Sequence, residues 1–205
     1  MNQSENQRWD HSIHYHSILL NNVPPNAARA LDIGCGSGVL TRSLRTLVPH
    51  VVGIDVNQPM IDLARSETDS SIENIEYILG DALTYPLKPA SSDAIVCVAT
   101  LHHMDTAVAL QRMRELLRPG GTLGIIGLAR SGTSQDLIYN IGGAVATRVY
   151  RLNRTLWRHP APTHWPPKDS YSGVRRIANS VLPGALYRRQ LLFRYTLTWT
   201  KPQVH

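Results

Sequence analysis

Three acidic residues in the first half of this 205-residue chain lie at or near the ends of short apolar runs. Asp32 lies within the first run, Asp55 ends the second, and Asp81 comes shortly after the third. If the runs are parallel strands, their carboxyl ends meet at one edge of a sheet, where ligands of such sheets bind. There Asp55 can accept hydrogen bonds from both hydroxyls of a ribose, and Asp81 can accept one from an adenine amino group. The spacing therefore indicates a pocket for an adenosine.

A glycine-rich loop follows the first apolar run, with glycines at positions 34, 36 and 38. Glycines let the backbone turn tightly and let a ligand approach where a Cβ would clash. A dinucleotide fingerprint would need its third glycine where this chain has Val39. No lysine followed by serine or threonine comes after the loop, which excludes a triphosphate-binding loop. Together with the three acids, the loop suits an adenosine whose attached group is cationic rather than phosphorylated.

A pair of histidines, His102 and His103, follows the fourth apolar run, Ala94–Ala99. This position puts both rings at the same edge of the predicted sheet. Histidine exchanges a proton near neutral pH, so either ring could remove the proton of a reacting hydroxyl, whereas an amine or a stabilised carbanion needs no such base. An alternative stays open, in which one ring hydrogen-bonds the loop and the other helps to pack it.

The N-terminal segment, residues 9–16, combines aromatic side chains with three histidines. On a helix, Trp9 would share one stripe with Ile13, and Tyr15 would lie on an adjacent stripe. The histidines have the spacing H-x-x-H-x-H without a partner cysteine or an HExxH context, which are the usual signs of a zinc site. We therefore predict no metal site, and hydrogen-bonded or solvated histidines.

Short β-branched runs alternate with helical patterns as far as Leu128. The predicted strands are 29–33, 51–54, 75–79, 94–99 and 122–128, and the predicted helices are 39–48, 58–66 and 106–117. Such alternation requires right-handed crossovers, which place helices on both faces of a parallel sheet. Strands that are apolar throughout, such as the fourth, fit burial on both faces. The predicted fold class is an open α/β sheet.

The pattern changes after Leu128. A helix is predicted from Gln135 to about Trp157, and a second covers Tyr171–Val181. Arginines recur on one face of the first of these helices, at positions 148, 151, 154 and 158. Two strands are predicted near residues 185–191 and 193–199, the second from its alternation of large apolar residues with polar ones.

The charge is distributed unevenly along the chain. Residues 1–128 hold 9 basic and 13 acidic side chains, whereas residues 129–205 hold 12 and 2, so the net charges are −4 and +10. A basic C-terminal part favours an acidic substrate, nucleic acid or lipid surface as partner. The alternative is coding bias, since 18 of the 21 basic residues are arginine.

Composition narrows the class of protein further. The chain is 42% hydrophobic and 18% charged, which is typical of globular proteins. Cys35 and Cys97 lie in apolar runs and are interpreted as reduced residues of a cytosolic protein. There is no run of about 20 apolar residues and no signal-peptide pattern in the first seven residues. These features predict a cytoplasmic protein without an integral membrane segment.

Five segments in order resemble the class I S-adenosylmethionine-dependent methyltransferases, and within them the small-molecule branch that includes the ubiquinone and menaquinone methyltransferases. The resemblance spans roughly residues 28–128, and its segments are Ala30–Gly38, Val52–Met60, Gly80–Ala82, Asp93–His103 and Leu117–Gly127. The resemblance implies a Rossmann-like domain with a mostly parallel seven-stranded sheet, an antiparallel C-terminal strand and helices on both faces. It also implies methyl transfer from S-adenosyl-L-methionine to a small-molecule acceptor by in-line displacement, with S-adenosyl-L-homocysteine as product.

The resemblance implies roles for individual residues. Around the methionine moiety and its amino group it places Asp32, Gly34, Cys35, Gly36 and Gly38. Around the ribose and adenine it places Asp55, Val56, Met60, Gly80, Asp81, Ala82 and, at the end of the fourth strand, Ala99. A helix before the first strand would fold over the cofactor, with Tyr15 as the contact. His103, and after it His102, are the candidate catalytic bases.

The chain is predicted to form one domain with four parts: a lid helix at 1–27, the cofactor-binding core at 28–128, an acceptor-side insertion at 129–169, and a C-terminal helix with a strand pair at 170–205. The arginine face and the aromatic side chains of the insertion would suit an aromatic or anionic acceptor: Tyr139, Tyr150, Trp157, His164 and Trp165. Alternatively, the basic helix around Arg148–Arg158 lies on an anionic membrane and delivers a lipid-like acceptor, or its arginines form a solvated face.

Two other functions stay open. The basic tail suits an RNA methyltransferase, although the residues after the fourth strand, Ala99–His102, lack the Asn/Asp-Pro-Pro-aromatic run of amino-methylating enzymes, and Val96 precedes Cys97 where cytosine C5 enzymes have proline. These differences make nucleic acid an unlikely partner. The remaining function is a non-catalytic protein that binds S-adenosylmethionine.

Overall fold

The computed structural model describes residues 9–153 and 166–203, without the side chains of Gln135 and Asn153. Its helices are α1 (His16–Leu20), α2 (Val39–Arg45), α3 (Gln58–Glu67), α4 (Thr106–Leu116), α5 (Ser134–Asn153) and α6 (Tyr171–Val181). Its strands are β1 (Arg29–Ile33), β2 (His50–Asp55), β3 (Ile75–Leu79), β4 (Ser92–Val98), β5 (Leu117–Gly127), β6 (Leu186–Arg189) and β7 (Tyr195–Thr200).

All seven strands belong to one sheet, in the order β3-β2-β1-β4-β5-β7-β6. Strands β1 to β5 are parallel to their neighbours in this group, whereas β7 pairs antiparallel with both β5 and β6. The Rossmann-like fold with an antiparallel C-terminal strand is therefore confirmed. The strand order reverses between β1 and β4, and ligands of open α/β sheets bind at such a switch point, outside the carboxyl ends of the strands.

The sheet is buried on both faces. Alternate residues of β4 enter different hydrophobic clusters, because successive side chains of a strand point to opposite faces. Ile95 and Cys97 pack in a cluster with Met113 of α4 and Val174 of α6. Ala94 and Val96 pack with other side chains from the N-terminal segment and α2: Trp9, Leu19, Leu40 and Leu44.

Side-chain caps fix the start of helices α3 and α4. Asn57 accepts a hydrogen bond from the amide of Met60 at the start of α3, with a donor–acceptor distance of 3.2 Å. Asp105 accepts from the amide of Val108 at 3.0 Å and begins α4. Such caps satisfy amides that have no partner within the helix, and each contributes about 1 kcal/mol.

The predicted and observed elements differ most at β5. The strand begins at Leu117, directly after α4, rather than at Thr122. Its first part pairs with β4 through an irregular register next to Ser92. Gly120 has a φ of +78°, and its amide donates to the carbonyl of Lys201 at 2.8 Å. The Pro-Gly-Gly run is therefore an irregular start of the strand and not only a helix terminator.

No helix within the described parts of the chain is long and apolar enough to cross a membrane. The predicted helix beyond Asn153, including Arg154, Trp157 and Arg158, lies outside the described residues, as do His164 and Trp165.

Candidate cofactor and acceptor site

A cavity of about 1000 Å³ lies at the carboxyl ends of the parallel strands. Pockets for small ligands usually measure about 300–1000 Å³, so this one is large. Its walls come from the glycine loop, the ends of β2, β3 and β4, the N-terminal segment and the turn before β7. Thirteen predicted site residues line it: Asp32, Gly34, Cys35, Gly36, Asp55, Val56, Met60, Gly80, Asp81, Ala82, Ala99, His102 and His103.

Asp32 presents a buried carboxyl group to the cavity, with 2% of the residue exposed. The hydroxyl of Thr41 in α2 donates a hydrogen bond of 2.7 Å to its Oδ2. Burial raises the pKa of Asp32 from 3.8 to about 7, and the nearby charge of Asp55 adds to the effect, which the bond from Thr41 opposes. A cationic group of a ligand would favour the ionised form and would compensate for this burial.

The glycine loop is held in a left-handed conformation at all three glycines. Gly34 has a φ of +71°, and a Cβ there would collide with the side chain of Thr100 at the end of β4. Gly38 has a φ of +76° and lies at the start of α2. Its neighbours Ser37 and Val39 line the cavity, whereas Gly38 itself does not. Only glycine fits both the conformation and the space at these positions.

An ion pair with a buried arginine supports the glycine loop. Arg42 of α2 approaches Glu67 of α3 to 3.2 Å and donates a hydrogen bond of 2.8 Å to the carbonyl of Ser37. The hydroxyl of Ser37 is buried at the cavity wall and has no hydrogen-bond partner within the described part of the chain. A buried hydroxyl without a partner is costly, so a polar group of a ligand is its natural partner.

Asp55, at the end of β2, organises the loop as well as the cavity. Its Oδ2 accepts a hydrogen bond from the amide of Gly36, and its Oδ1 accepts one from the amide of Asn57, each at 2.9 Å. Each carboxylate oxygen can accept more than one hydrogen bond, so the group can still receive hydroxyls of a ligand. Val56 beside it is 69% exposed, which leaves an apolar surface free to cover a ring.

Asp81, after β3, forms the far end of this row of acids. Its Oδ1 accepts a hydrogen bond from the amide of Leu83 at 2.9 Å, which fixes the local turn. Gly80 packs against the ring of Tyr85, where a Cβ would approach to 2.7 Å, and Ala82 is 4% exposed at the cavity wall. The structure thus brings together the three acids that the sequence analysis grouped.

The two histidines follow β4 in a short 3₁₀ turn, Leu101–His103. Their ring centroids are 3.9 Å apart, and both residues line the cavity. Ala99, just before the turn, has a φ of +50°, which is strained for a residue with a Cβ. This bend aims the end of β4 into the cavity, which no local sequence pattern indicates.

Tyr15 is not among the residues that line the cavity, and its contact with the cofactor stays a prediction. Its hydroxyl donates to the carbonyl of Leu191 at 2.8 Å, and its ring packs edge-on against His14. Residues Ile13–Tyr15 form a 3₁₀ turn, where the sequence analysis assumed a regular helix. The same segment lines the cavity with other residues: Asp10, His11, Ser12, Ile13 and His16.

The described part of the predicted insertion contributes no side chain to the cavity wall. Tyr139 lies beside the guanidinium of Arg189, at 4.9 Å from the ring centroid, and Tyr150 stacks near Trp9 at 5.4 Å. These residues pack the insertion onto the domain, and the structure does not bring them to the site.

Arg194, in the turn before β7, is a cavity residue that the sequence analysis did not single out. Its Nε donates to the hydroxyl of Ser12 at 3.0 Å. Burial lowers the pKa of the neighbouring His11, and the charge of Arg194 lowers it further. Burial also lowers the pKa of His16 to about 4, so its ring is neutral at physiological pH. Within the described residues, no group of three or more histidine, cysteine or acidic side chains is arranged to hold a metal ion.

The fold is a Rossmann-like domain, and its cavity lies at the carboxyl ends of the parallel strands. Residues 31–125 match the model of a methyltransferase domain. An uncharacterized methyltransferase of Mycobacterium bovis is 34% identical over 96% of this chain and 98% of its own length. A ubiquinone biosynthesis O-methyltransferase of Xylella fastidiosa is 37% identical over 49% of this chain and 42% of its own.

Among solved structures, a SAM-dependent methyltransferase from Aquifex aeolicus has the same fold, with a TM-score of 0.63 and 16% identity over 97% of this chain and 93% of its own. The chain belongs to the class I methyltransferases, as the sequence analysis predicted. S-adenosylmethionine is the cofactor of this class. The residues present fit this cofactor. The buried carboxyl group of Asp32 can pair with a cationic group, the buried hydroxyl of Ser37 can hydrogen-bond a polar group, and Asp55 lines the cavity.

Proposed function

We propose that this methyltransferase acts on a small-molecule acceptor that binds in the same cavity as the cofactor. The observation that carries the proposal is the composition of the cavity wall. Acids and the glycine loop form one part, whereas histidines, Arg194 and apolar side chains from other elements form the rest. A volume of about 1000 Å³ leaves room for a second small ligand beside an adenosine.

The cofactor would be held by groups of differing chemistry. Asp55 would accept the ribose hydroxyls, while Val56 and Met60 would cover the adenine. Asp81 would accept a hydrogen bond from the adenine amino group through its Oδ2, because its Oδ1 already accepts one from the amide of Leu83. Asp32 would accept hydrogen bonds from the ammonium of the methionine moiety, and the glycine loop would line the rest of that moiety.

The chemistry that the chain must supply is mainly positioning. S-adenosylmethionine, when bound, supplies a methyl group activated by a sulfonium. The protein's part is to hold the acceptor atom in line and to exclude water, and such placement can contribute about 7–11 kcal/mol. His103 would accept the proton of an acceptor hydroxyl, with His102 beside it as the second candidate. Their place at the end of β4, on the cavity wall, supports this role.

A partial similarity supports oxygen as the atom that is methylated. The ubiquinone biosynthesis O-methyltransferase of Xylella fastidiosa matches 49% of this chain, and an O-methyltransferase needs a base to remove the proton of its acceptor hydroxyl.

The test uses S-adenosylmethionine labelled in its methyl group, mixed with purified protein and a host-cell extract. The label is then separated into polar metabolites, organic-soluble compounds, RNA and protein. We expect it in a small-molecule fraction and expect its loss with Asp55→Ala. Label in RNA would favour the RNA methyltransferase instead. Binding of S-adenosylhomocysteine without transfer to any fraction would favour a non-catalytic protein.

A specific surface supports membrane contact by this enzyme. Helix α5 exposes an apolar stripe, which we call the α5 stripe: Ile138, Ile141, Val145, Val149 and Leu152, each at least 55% exposed. Arg148 and Arg151 are exposed beside it, and residues 129–205 carry a net charge of +10. An apolar face with flanking arginines is typical of helices that lie on anionic bilayers. We infer that the α5 stripe contacts a membrane from the cytoplasmic side.

Vesicle sedimentation tests this inference. We expect the protein to sediment with vesicles of phosphatidylglycerol and phosphatidylcholine, and not with phosphatidylcholine alone. Val145→Asp should abolish sedimentation, and Val108→Asp, at an exposed position on α4, is the matched control. Equal sedimentation of all variants, or none by the wild type, would contradict the membrane contact.

A further inference from the structure

Arg194 projects into the part of the cavity formed by the N-terminal segment. Its Nε donates to the hydroxyl of Ser12 at 3.0 Å, and residues Asp10, His11 and Ser12 line the same cavity. We call these four residues the N-terminal wall. It is formed by two segments that are far apart in the sequence.

The turn that carries Arg194 is strained and firmly held. Leu192 and Phe193 have φ values of +57° and +59°, a conformation that residues with a Cβ rarely adopt. The hydroxyl of Tyr15 donates to the carbonyl of Leu191 at 2.8 Å, and that of Tyr171 donates to the carbonyl of Phe193 at 3.1 Å. Strain that the surroundings maintain is common where a side chain must be aimed at a ligand. The bonds fix the direction of Arg194 before any ligand binds.

The wall carries a positive charge with no carboxylate paired to it. Within the described residues, no carboxylate oxygen lies within 4.0 Å of the guanidinium of Arg194. Asp10 lines the same wall, but its Oδ1 accepts the amides of Ser12 and Ile13 at 2.6 and 2.7 Å. Burial lowers the pKa of Arg194, yet a guanidinium stays charged at neutral pH.

The charges near the wall differ from those of the cofactor site. The pKa of Arg194 is lowered by burial, and among nearby groups Asp10 acts most strongly to raise it. The pKa of Asp32 is raised by burial and by Asp55. The wall therefore adds a guanidinium to a cavity whose cofactor part contains three acids.

We propose that the N-terminal wall binds a carboxylate or phosphate group of the methyl acceptor, with Arg194 as the main donor and Ser12 beside it. This proposal rests on the proposed function, because it gives the acceptor an anionic group. The Nη1 of Arg194 donates to the carbonyls of Leu192 and Phe193 at 3.5 and 3.3 Å, so the donor to such a group would be mainly Nη2, and partial burial would strengthen that bond. The ring of His11, whose Nε2 lies 3.2 Å from the hydroxyl of Thr147, closes the wall beside them.

Calorimetric titration tests the proposal on protein saturated with S-adenosylhomocysteine. The probes are benzoate, phenyl phosphate and the neutral benzyl alcohol. We expect one of the two anions to bind roughly tenfold or more tightly than the alcohol. Arg194→Gln should remove that preference, whereas Arg188→Gln, at an exposed position on β6, should keep it. If Arg194→Gln does not fold, Arg194→Lys replaces it. It should weaken anion binding several-fold, because an ammonium lacks the planar arrangement of donors of a guanidinium.

Three results would overturn the proposal. The first is equal binding of the three probes by the wild type, and the second is an unchanged preference for anions in the Arg194 variants. The third is a loss of affinity for S-adenosylhomocysteine in Arg194→Gln while anion binding is unchanged. That result would place the carboxylate of the cofactor at the wall. If the wild type binds no S-adenosylhomocysteine, the proposed function fails, and the same titrations on the cofactor-free protein still decide the anion site.

Discussion

Thr41 and Asp32 are joined by a hydrogen bond of 2.7 Å between the hydroxyl of the first and the carboxyl group of the second. The bond crosses from α2 to β1 beneath the glycine loop and leaves Asp32 buried at the cavity wall. Burial and the charge of Asp55 keep its pKa raised to about 7. Asp32 therefore opposes stability when it is ionised and supports binding when a cation is present.

We expect Asp32→Asn to stabilise the cofactor-free protein at alkaline pH. A carboxyl whose folded pKa is raised gives stability below its unfolded pKa of 3.8, and this is lost as the pH rises through about 7. Between pH 5 and pH 8, the wild type should lose about 2 kcal/mol relative to the variant. Denaturant unfolding at both pH values measures this. An equal difference at pH 5 and pH 8 would mean that Asp32 does not titrate in this range.

The same residue should make cofactor binding depend on pH. Because a cation binds the ionised form better, the affinity for S-adenosylhomocysteine, which keeps the ammonium, should rise as the pH increases from 5 to 8. Asp32→Asn should bind roughly tenfold more weakly at pH 8 and show a smaller change with pH. Titration of both proteins across this range measures the effect, and parallel curves would contradict the assignment.

Asp55 should be more important for binding than for stability. Asp55→Ala removes the predicted partner of the ribose and two bonds to the amides of Gly36 and Asn57. We expect roughly a 100-fold loss of affinity for S-adenosylhomocysteine and a folded protein that is about 1–3 kcal/mol less stable. Asp62→Ala, on the exposed side of α3, is the control. Unchanged affinity in Asp55→Ala would refute the predicted site.

Asp93 should affect stability without affecting binding. Its Oδ2 accepts the amides of Ala28 and Arg29, and its Oδ1 accepts a hydrogen bond from Arg118, all at 2.9 Å. Burial acts to raise the pKa of Asp93, but these bonds outweigh it and lower the pKa. Its contribution is therefore present above the unfolded pKa and is lost in acid.

The corresponding variant is Asp93→Ala, which should lower the unfolding free energy by about 1–3 kcal/mol at pH 7 and by less at low pH. The affinity for S-adenosylhomocysteine of the folded variant should equal that of the wild type. A pH-independent difference would show that the loss comes from packing rather than from the carboxylate.

His103→Gln should slow methyl transfer without weakening cofactor binding. For a hydroxyl acceptor, loss of a general base costs roughly 10²–10⁴-fold in rate. Rates measured with labelled cofactor across pH 6–9 should lose their dependence on an ionising base in this variant. Activity near that of the wild type over the whole range would remove His103 as the base, and the same experiment on His102→Gln tests its neighbour.

Local patterns predicted the cofactor half of the molecule well, because its elements are short and regular. The bounds predicted for β1 and β3 agree with the structure, since apolar runs between turn residues determine them. Outside this half, the bounds predicted for α6 also agree. The three acids were placed together by one rule, that parallel strands share a carboxyl edge.

The N-terminal wall could not be predicted in the same way. Arg194 lies in a stretch that alternates like an ordinary strand, and its direction depends on left-handed backbone at Leu192 and Phe193. The segment that carries Tyr15 was assumed to be a regular helix, whereas the structure has a 3₁₀ turn there. Both features depend on contacts between the two ends of the chain, which are tertiary and leave no local pattern.

The bond between Ser12 and Arg194 joins residues 182 positions apart. During synthesis, the residues proposed to bind the cofactor leave the ribosome long before Arg194, and contacts between distant residues form slowly. If the N-terminal wall binds the acceptor as proposed, acceptor recognition is the last property that the maturing chain acquires. Proteolytic trimming that removed Ser12 or Arg194 would then remove this recognition.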